Sequence, residues 1–185
     1  MSWFLIGAGL GFAVSAPPGA NTMMCVVKGR QGFSYALPLI VAAASADTIY
    51  ALLTGVGLLG AALAHASHIL AIAAVGFLLI CAYLLWPRKE ATSSTSVALI
   101  AAFNPPAALL WLALAGSLDH HPGNLLTVIV FAVGAATATL TWFSGLAFLS
   151  HRFSHLISDG GMYRARVLVS VILILLALLR AVTLV

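Results

Sequence analysis

The sequence predicts an all-α, polytopic membrane protein with six transmembrane helices, arranged as a 3+3 inverted repeat in which helices 1 and 4 are broken. Three observations lead there. The 185 residues are 63% hydrophobic and 6% charged, with a mean hydropathy of +1.14. Soluble domains are about one quarter charged, so too few charges remain here to cover a water-exposed surface. A spanning helix takes about 20 residues, and the length suits about six of them. Finally, two proline pairs, Pro17-Pro18 and Pro105-Pro106, interrupt apolar stretches that otherwise read as spanning helices.

The first span covers about Ser2 to Val26 and holds the first pair, in Ala16-Pro17-Pro18-Gly19-Ala20-Asn21. Its opening fifteen residues lack a basic n-region, so they read as a helix. Residues 13–16 only imitate a signal cleavage site. Lys28-Gly29-Arg30-Gln31-Gly32 is a tight loop. The second span runs from about Phe33 to Leu63, and His65 to His68 mark a short connection. The third ends at Trp86-Pro87, before the most polar stretch, Arg88 to Ser96. The fourth starts near Val97 and contains Phe103-Asn104-Pro105-Pro106-Ala107. Asp119 to Asn124 form a turn cluster. The fifth span follows to about Leu149. A loop with Arg152, Asp159, Gly160, Gly161, Arg164 and Arg166 leads to the sixth, which reaches the C-terminus.

Charge orients these spans. The loops 1–2, 3–4 and 5–6 hold Lys28, Arg30, Arg88, Lys89, Arg152, Arg164 and Arg166, seven of the eight basic residues. The opposite loops hold none, which places both termini outside the cytoplasm of a cell inner membrane. Arg180 lies near enough to the end of the last span to snorkel to the outer interface. The same distribution explains the net charge of +4 without a nucleic-acid partner. Cys25 and Cys81 fall in or near apolar spans, a pattern that fits neither a disulfide framework nor a metal site.

The chain therefore reads as a single transmembrane domain, 1–185. Residues 1–88 form the first three-helix repeat, 89–96 a cytoplasmic linker, and 97–185 the second repeat. Each half carries its proline pair in its first span, and those two spans enter the membrane from opposite sides. That is the inverted-topology plan of secondary transporters. Proline removes a backbone N–H and frees the carbonyl four residues earlier. Pro17 and Pro18 free those of Ala13 and Val14, and Pro105 and Pro106 free those of Ala101 and Ala102. Such breaks are tolerated in hydrocarbon only where protein or a water-filled cavity satisfies them. The N–H groups near Gly19 to Asn21 suit a carboxylate, and the freed carbonyls suit an ammonium or another cation. Asn21 and Asn104 add an amide beside each break, able to donate and accept. The bland alternative is two kinks that serve helix packing.

Asp47 is the only acidic residue inside a span. It lies fourteen residues from Phe33, about 21 Å along a helix, and hence near the midplane. A lone carboxylate there costs about 2.5–3.5 kcal/mol on the mildest scale. It reads as a proton carrier or as a counter-charge for a cationic substrate. The competing reading is a carboxyl that ties helices together through hydroxyls or freed backbone.

Gly7, Gly9 and Gly11 in span 1, and Gly55, Gly57 and Gly60 in span 2, are positions where helices can approach closely. The Gly7-to-Gly11 run lacks the strand and βαβ unit that a nucleotide fingerprint needs. His65, His68, His120 and His121 would lie at the outer face with Asp119. Interfacial turn residues account for them better than a shared metal. His151 and His155 flank a cytoplasmic loop. Trp86, Trp111 and Trp142 fit interfacial belts or core.

Several of these positions together resemble the LysE/RhtB superfamily of amino-acid exporters. Pro17-Pro18-Gly19-Ala20-Asn21 resembles the family's Pro-Gly-Pro-Asn element, with proline and glycine displaced. Lys28 to Gly32 resembles its short Gly/Arg loop. Asp47 in a small-residue span, followed by Gly55 and Gly57-Leu58, fits its pattern, and Asn104-Pro105 resembles its Asn-Pro element. The resemblance covers nearly the full length and is loose in the second half beyond Asn104-Pro105. It implies a six-span exporter driven by an ion gradient, working as a homodimer in membrane lipid, and not an enzyme.

The expectation is a secondary transporter of an amino acid or similar small solute, proton-coupled and without a cofactor. Asp47 binds the coupling proton or the substrate's amino group. Pro17, Pro18, Gly19, Asn21, Asn104 and Pro105 bind the rest. A metal-ion exporter on the same scaffold is one rival, but its candidate ligands along the path are few: Asp47, Asn21, Asn104, Cys25 and Cys81. A non-transporting assembly partner would not need Asp47. A membrane-embedded enzyme should cluster polar residues at one interface.

Overall fold

A computed structural model describes residues 2–16, 19–57, 67–86, 101, 107, 108, 110, 111, 113, 124–156 and 158–182. The described residues are helical, with no strand among them. The helices are α1 (Ser2–Ser15), α2 (Ala20–Gln31), α3 (Phe33–Gly55), α4 (Ser67–Leu85), α5 (Leu125–Arg152) and α6 (Asp159–Val182), with a 3-10 turn at Ser154–Leu156. By length and apolarity α3, α5 and α6 can each cross a membrane. α1 and α2 make a fourth crossing if they count as one span, and their axes are turned 81° from each other. Most of the expected fourth span lies outside the described residues, including Asn104, Pro105 and Pro106.

Local chemistry sets the helix ends. Asn124 caps α5: its side-chain oxygen accepts from the Thr127 N–H at 2.9 Å, and Thr127 Oγ1 accepts in return from the Asn124 N–H. Two orphan donors are satisfied reciprocally. Gly32, at φ +143°, joins α2 to α3 in a conformation that only glycine adopts freely. The tight loop expected at Lys28 to Gly32 is thus reduced to Gly32, because Lys28 to Gln31 complete the last turn of α2. α3 stops at Gly55 instead of continuing to Leu63, with Gly57 at φ +72° just beyond. Gly160, Gly161, Arg164 and Arg166 belong to the first turns of α6 rather than to a loop.

The helices pack closest where side chains are smallest. Gly7 and Gly11 of α1 lie on Phe131 and Ala135 of α5 so tightly that a Cβ would come within 2.0 and 2.6 Å of their carbonyl oxygens. Both contacts pair residues 124 apart, the separation that also joins Ser15 to Thr139. The ridge Gly7, Gly11, Ser15 therefore runs parallel to the ridge Phe131, Ala135, Thr139, with four-residue spacing on each helix. Gly134 meets Phe4 of α1, Gly29 of α2 meets Ala147 of α5, and Gly55 of α3 meets Val128 of α5. α5 thus receives α1, α2 and α3. Composition groups Gly9, Gly57 and Gly60 with these, but Gly9 and Gly57 face open space, and Gly60 lies outside the described residues.

α3 and α5 cross antiparallel, since Asp47 meets Thr139 while Gly55 meets Val128. Seven of the ten buried positions on α3 correspond to seven of the nine on α5. Ala36, Leu39, Ile40, Ala43, Asp47, Ala51 and Gly55 are buried on α3, as are Val128, Phe131, Ala132, Ala135, Thr139, Phe143 and Ala147 on α5. Each pair is separated by 92 residues, like Asp47 and Thr139.

Lys28, Arg30, Arg152, Arg164 and Arg166 stand near one end of the bundle, and Arg180 lies near the other end of α6. Arg30 at the close of α2 pairs with Asp159 at the start of α6, at 3.1 Å. Arg166 donates from Nε to the Leu85 carbonyl at 3.0 Å and from its terminal nitrogen to that of Trp86 at 3.3 Å, capping the C-terminus of α4. The outer surface is apolar, with Leu168, Leu175, Leu178 and Leu179 of α6 all more than half exposed. Where the solvent is lipid this is the expected face. Backbone-directed hydroxyls fit the same setting: Thr48 donates to Ala44 O at 2.6 Å and Thr137 to Val133 O at 2.7 Å.

Candidate substrate site

The centre of the molecule is a buried carboxylate. Asp47 is 5% exposed, and its acceptors are used on both sides. Trp111 donates from Nε1 to Oδ1 at 2.9 Å. Thr139 and Ser15 reach Oδ2 at 2.7 and 3.2 Å. Ser15 ends α1 just before the first proline pair, Trp111 follows the second pair, and Thr139 is midway along α5. One carboxylate therefore gathers three donors from three other segments of the chain.

The two hydroxyls also lie 3.0 Å from each other. Each carries one hydrogen and can accept as well. With Asp47 ionised, both hydroxyls donate to Oδ2. With a proton on Oδ2, that proton can be given to one hydroxyl, which then turns toward the other. Rotation of two O–H bonds satisfies either protonation state without moving a heavy atom. A purely structural tie would need only one of those states to be satisfied.

A cavity of about 240 Å³ opens beside this cluster, lined by residues of all six helices and by Ala101, Ala107 and Leu110. Gly19 and Asn21 line it, with Ala20 and Thr22, so the start of α2 faces the cavity. The Met23 N–H bonds back to the Gly19 carbonyl at 3.0 Å. Asn21 Oδ1 is buried and has no hydrogen-bond partner.

Of the residues that sequence reasoning singled out, Gly19, Asn21 and Asp47 share this cavity. Pro17, Pro18, Asn104 and Pro105 lie outside the described residues, although Ala101 and Ala107 on either side of the second pair both line the cavity. Cys25 and Cys81 are free and fully buried. Cys25 Sγ donates to the Phe143 carbonyl at 3.3 Å. His65, His120 and His121 are outside the described residues, as is the side chain of His68. No cluster of metal-ligating side chains occurs among the described residues.

Ser15, Trp111 and Thr139 were not identified from sequence. Trp111, which the sequence leaves as either interfacial or core, is 0% exposed, and its N–H has a specific acceptor. Thr139 carried a usable signal: it lies as deep in its helix, counted from Leu125, as Asp47 does from Phe33. Ser15 carried none beyond its place beside the prolines.

One comparison with known proteins identifies the chain. The family model for LysE type translocators matches residues 12–183. No curated protein and no solved structure matches. The chain belongs to the LysE type translocator family and is a multi-pass membrane transport protein.

Proposed function

We propose that this translocator exports an amino acid or a related small solute across the inner membrane, coupled to the movement of protons through Asp47. One observation carries the reading: a buried carboxylate, hydrogen-bonded so that either protonation state is satisfied, borders a cavity lined by residues from both halves of the chain. An ammonium group entering the cavity meets Asp47 and the unpartnered Asn21 Oδ1. The start of α2, which faces the cavity through Gly19, Ala20, Asn21 and Thr22, suits the substrate carboxylate.

The division into repeats 1–88 and 97–185, joined by 89–96, is part of this proposal. The second pair of helix starts, Leu125 and Asp159, follows the first, Phe33 and Ser67, by the same 92 residues that separate Asp47 from Thr139. Seven buried positions on each of α3 and α5 obey that offset, and the two helices cross antiparallel. A twofold axis in the membrane plane, passing near Asp47 and Thr139, would exchange the two halves. α1 and α2 then form a broken first span. The segment around Pro105 and Pro106 forms its counterpart, and rocking of one half against the other alternates access to the cavity. Both termini lie outside the cytoplasm, with Arg30, Arg152, Arg164 and Arg166 facing it. The exporter works as a homodimer.

The test is flux in proteoliposomes across a panel of amino acids and divalent cations, with and without a pH gradient. Asp47→Asn abolishes gradient-driven flux while the protein still inserts and purifies normally. Full flux in that variant refutes the coupling, and flux of a divalent cation alone favours a metal exporter.

A further inference from the structure

The cavity's lining narrows the substrate class, an inference that rests on the transport reading above. Among the described residues lining it, Asp47 is the only charged one. Most of the remaining wall is apolar: Ala43, Ala46, Phe77, Phe143, Leu173 and Leu176 come from four different helices. The hydrogen-bonding groups are gathered in Ser15, Asn21, Thr22 and Asp47, together with the backbone at the start of α2. Its volume of about 240 Å³ lies below the roughly 300–1,000 Å³ of pockets for drug-sized ligands.

We infer that the cavity selects a small neutral aliphatic amino acid, of the size of valine, leucine or methionine, over basic and acidic ones. The amino group of such a solute faces the one carboxylate and the free amide oxygen, and its side chain replaces water against alanine, leucine and phenylalanine surfaces. A lysine or arginine brings a second positive charge into the apolar part, where no second carboxylate among the described lining residues offsets its desolvation. A glutamate or aspartate brings a second negative charge beside Asp47 and meets no Lys, Arg or His among the described lining residues. Ala43 and Ala46, 4% and 8% exposed, set the room available, because any larger side chain there would project into the space the solute needs.

The experiment is counterflow of labelled leucine with the full-length chain in liposomes, challenged by unlabelled valine, methionine, lysine, arginine and glutamate. Valine and methionine compete within a few-fold of leucine, and the three charged amino acids compete at least tenfold more weakly. In Ala46→Leu the ratio of leucine to alanine counterflow falls at least tenfold. If that variant does not purify as a monodisperse protein, Ala43→Val gives the same readout. Lysine or arginine competing as well as leucine, with flux still lost in Asp47→Asn, overturns this selectivity and leaves the transport reading standing. An unchanged leucine-to-alanine ratio in a well-folded cavity variant overturns it as well. No flux of any amino acid, with or without a pH gradient, overturns the transport reading and this inference with it.

Discussion

Three glycines in one short run should respond to the same substitution in opposite ways. In Gly11→Ala the new Cβ would lie 2.6 Å from the Ala135 carbonyl oxygen, about 0.8 Å inside the 3.4 Å at which ordinary contact begins. The clash is with backbone, so no side chain can swing away, and α1 and α5 must separate. Ser15 is one turn further along the same ridge. Its contacts with Thr139 at 3.0 Å and Asp47 at 3.2 Å have at most half an ångström to spare before they cease to be hydrogen bonds. The loss combines overpacking, about 1–3 kcal/mol, with a weakened hydrogen bond to a charged group, about 1.5–3 kcal/mol. Gly7→Ala, whose Cβ would come within 2.0 Å of the Phe131 carbonyl oxygen, costs at least as much. Gly9→Ala meets nothing within 4 Å and is neutral or slightly stabilising, since alanine is the better helix former. Thermal unfolding of the three purified variants in detergent, with flux measured alongside, tests the series. Equal melting temperatures for Gly9→Ala and Gly11→Ala would refute the close packing of α1 on α5.

Thr139→Val removes the shortest donor to Asp47 while nearly preserving shape. It should destabilise the protein by about 1–3 kcal/mol and shift the pH dependence of flux, whereas Thr137→Val, which loses only a local bond to Val133 O, should do neither. Arg166→Ala strips the C-terminus of α4 of its cap and should lower the melting temperature measurably. Asp159→Asn should change stability by less than about 0.5 kcal/mol, because the aspartate of that ion pair is 99% exposed. Topology can be read by thiol labelling, since Cys25 and Cys81 are fully buried and give little background. A membrane-impermeant maleimide should reach Ser158→Cys only from the cytoplasmic side and Leu125→Cys only from the opposite side. Reversed labelling would overturn the proposed orientation.

Class was legible because it depends on quantities that summing preserves, whereas the family resemblance rests on particular positions such as Pro17 to Asn21, Asp47 and Asn104-Pro105. Few charges and long apolar runs require a membrane solvent whatever the packing, and Asp47 stands out against such a background. Two of the three donors to Asp47 were hidden for a physical reason. Serine and threonine are unremarkable in spanning helices, where their hydroxyls can bond to the preceding turn, as Thr48 and Thr137 do. Only the register of α1 on α5 separates Ser15 and Thr139 from those. Trp111 was hidden for another reason: indole suits both an interface and a core, and sequence does not say which way its N–H points. Helix ends were misread where the deciding feature was a single residue, such as Gly32, which alone breaks α2 from α3 although Lys28 and Arg30 suggested a longer polar turn.

If α3 and α5 belong to related halves, as proposed, a direction of transport cannot come from the shared shape alone. In two interchangeable halves, the inward-open and outward-open shapes would be copies of each other and equally populated. Any bias must then come from positions where the halves differ in chemistry while agreeing in shape. The pair at the crossing is one such difference: a carboxylic acid at 47 faces a neutral hydroxyl at 139, and the Trp111 indole donates to the acid. The resting preference of the carrier, and with it the sense of pumping, would be written in that one mismatch and in whether the acid holds its proton.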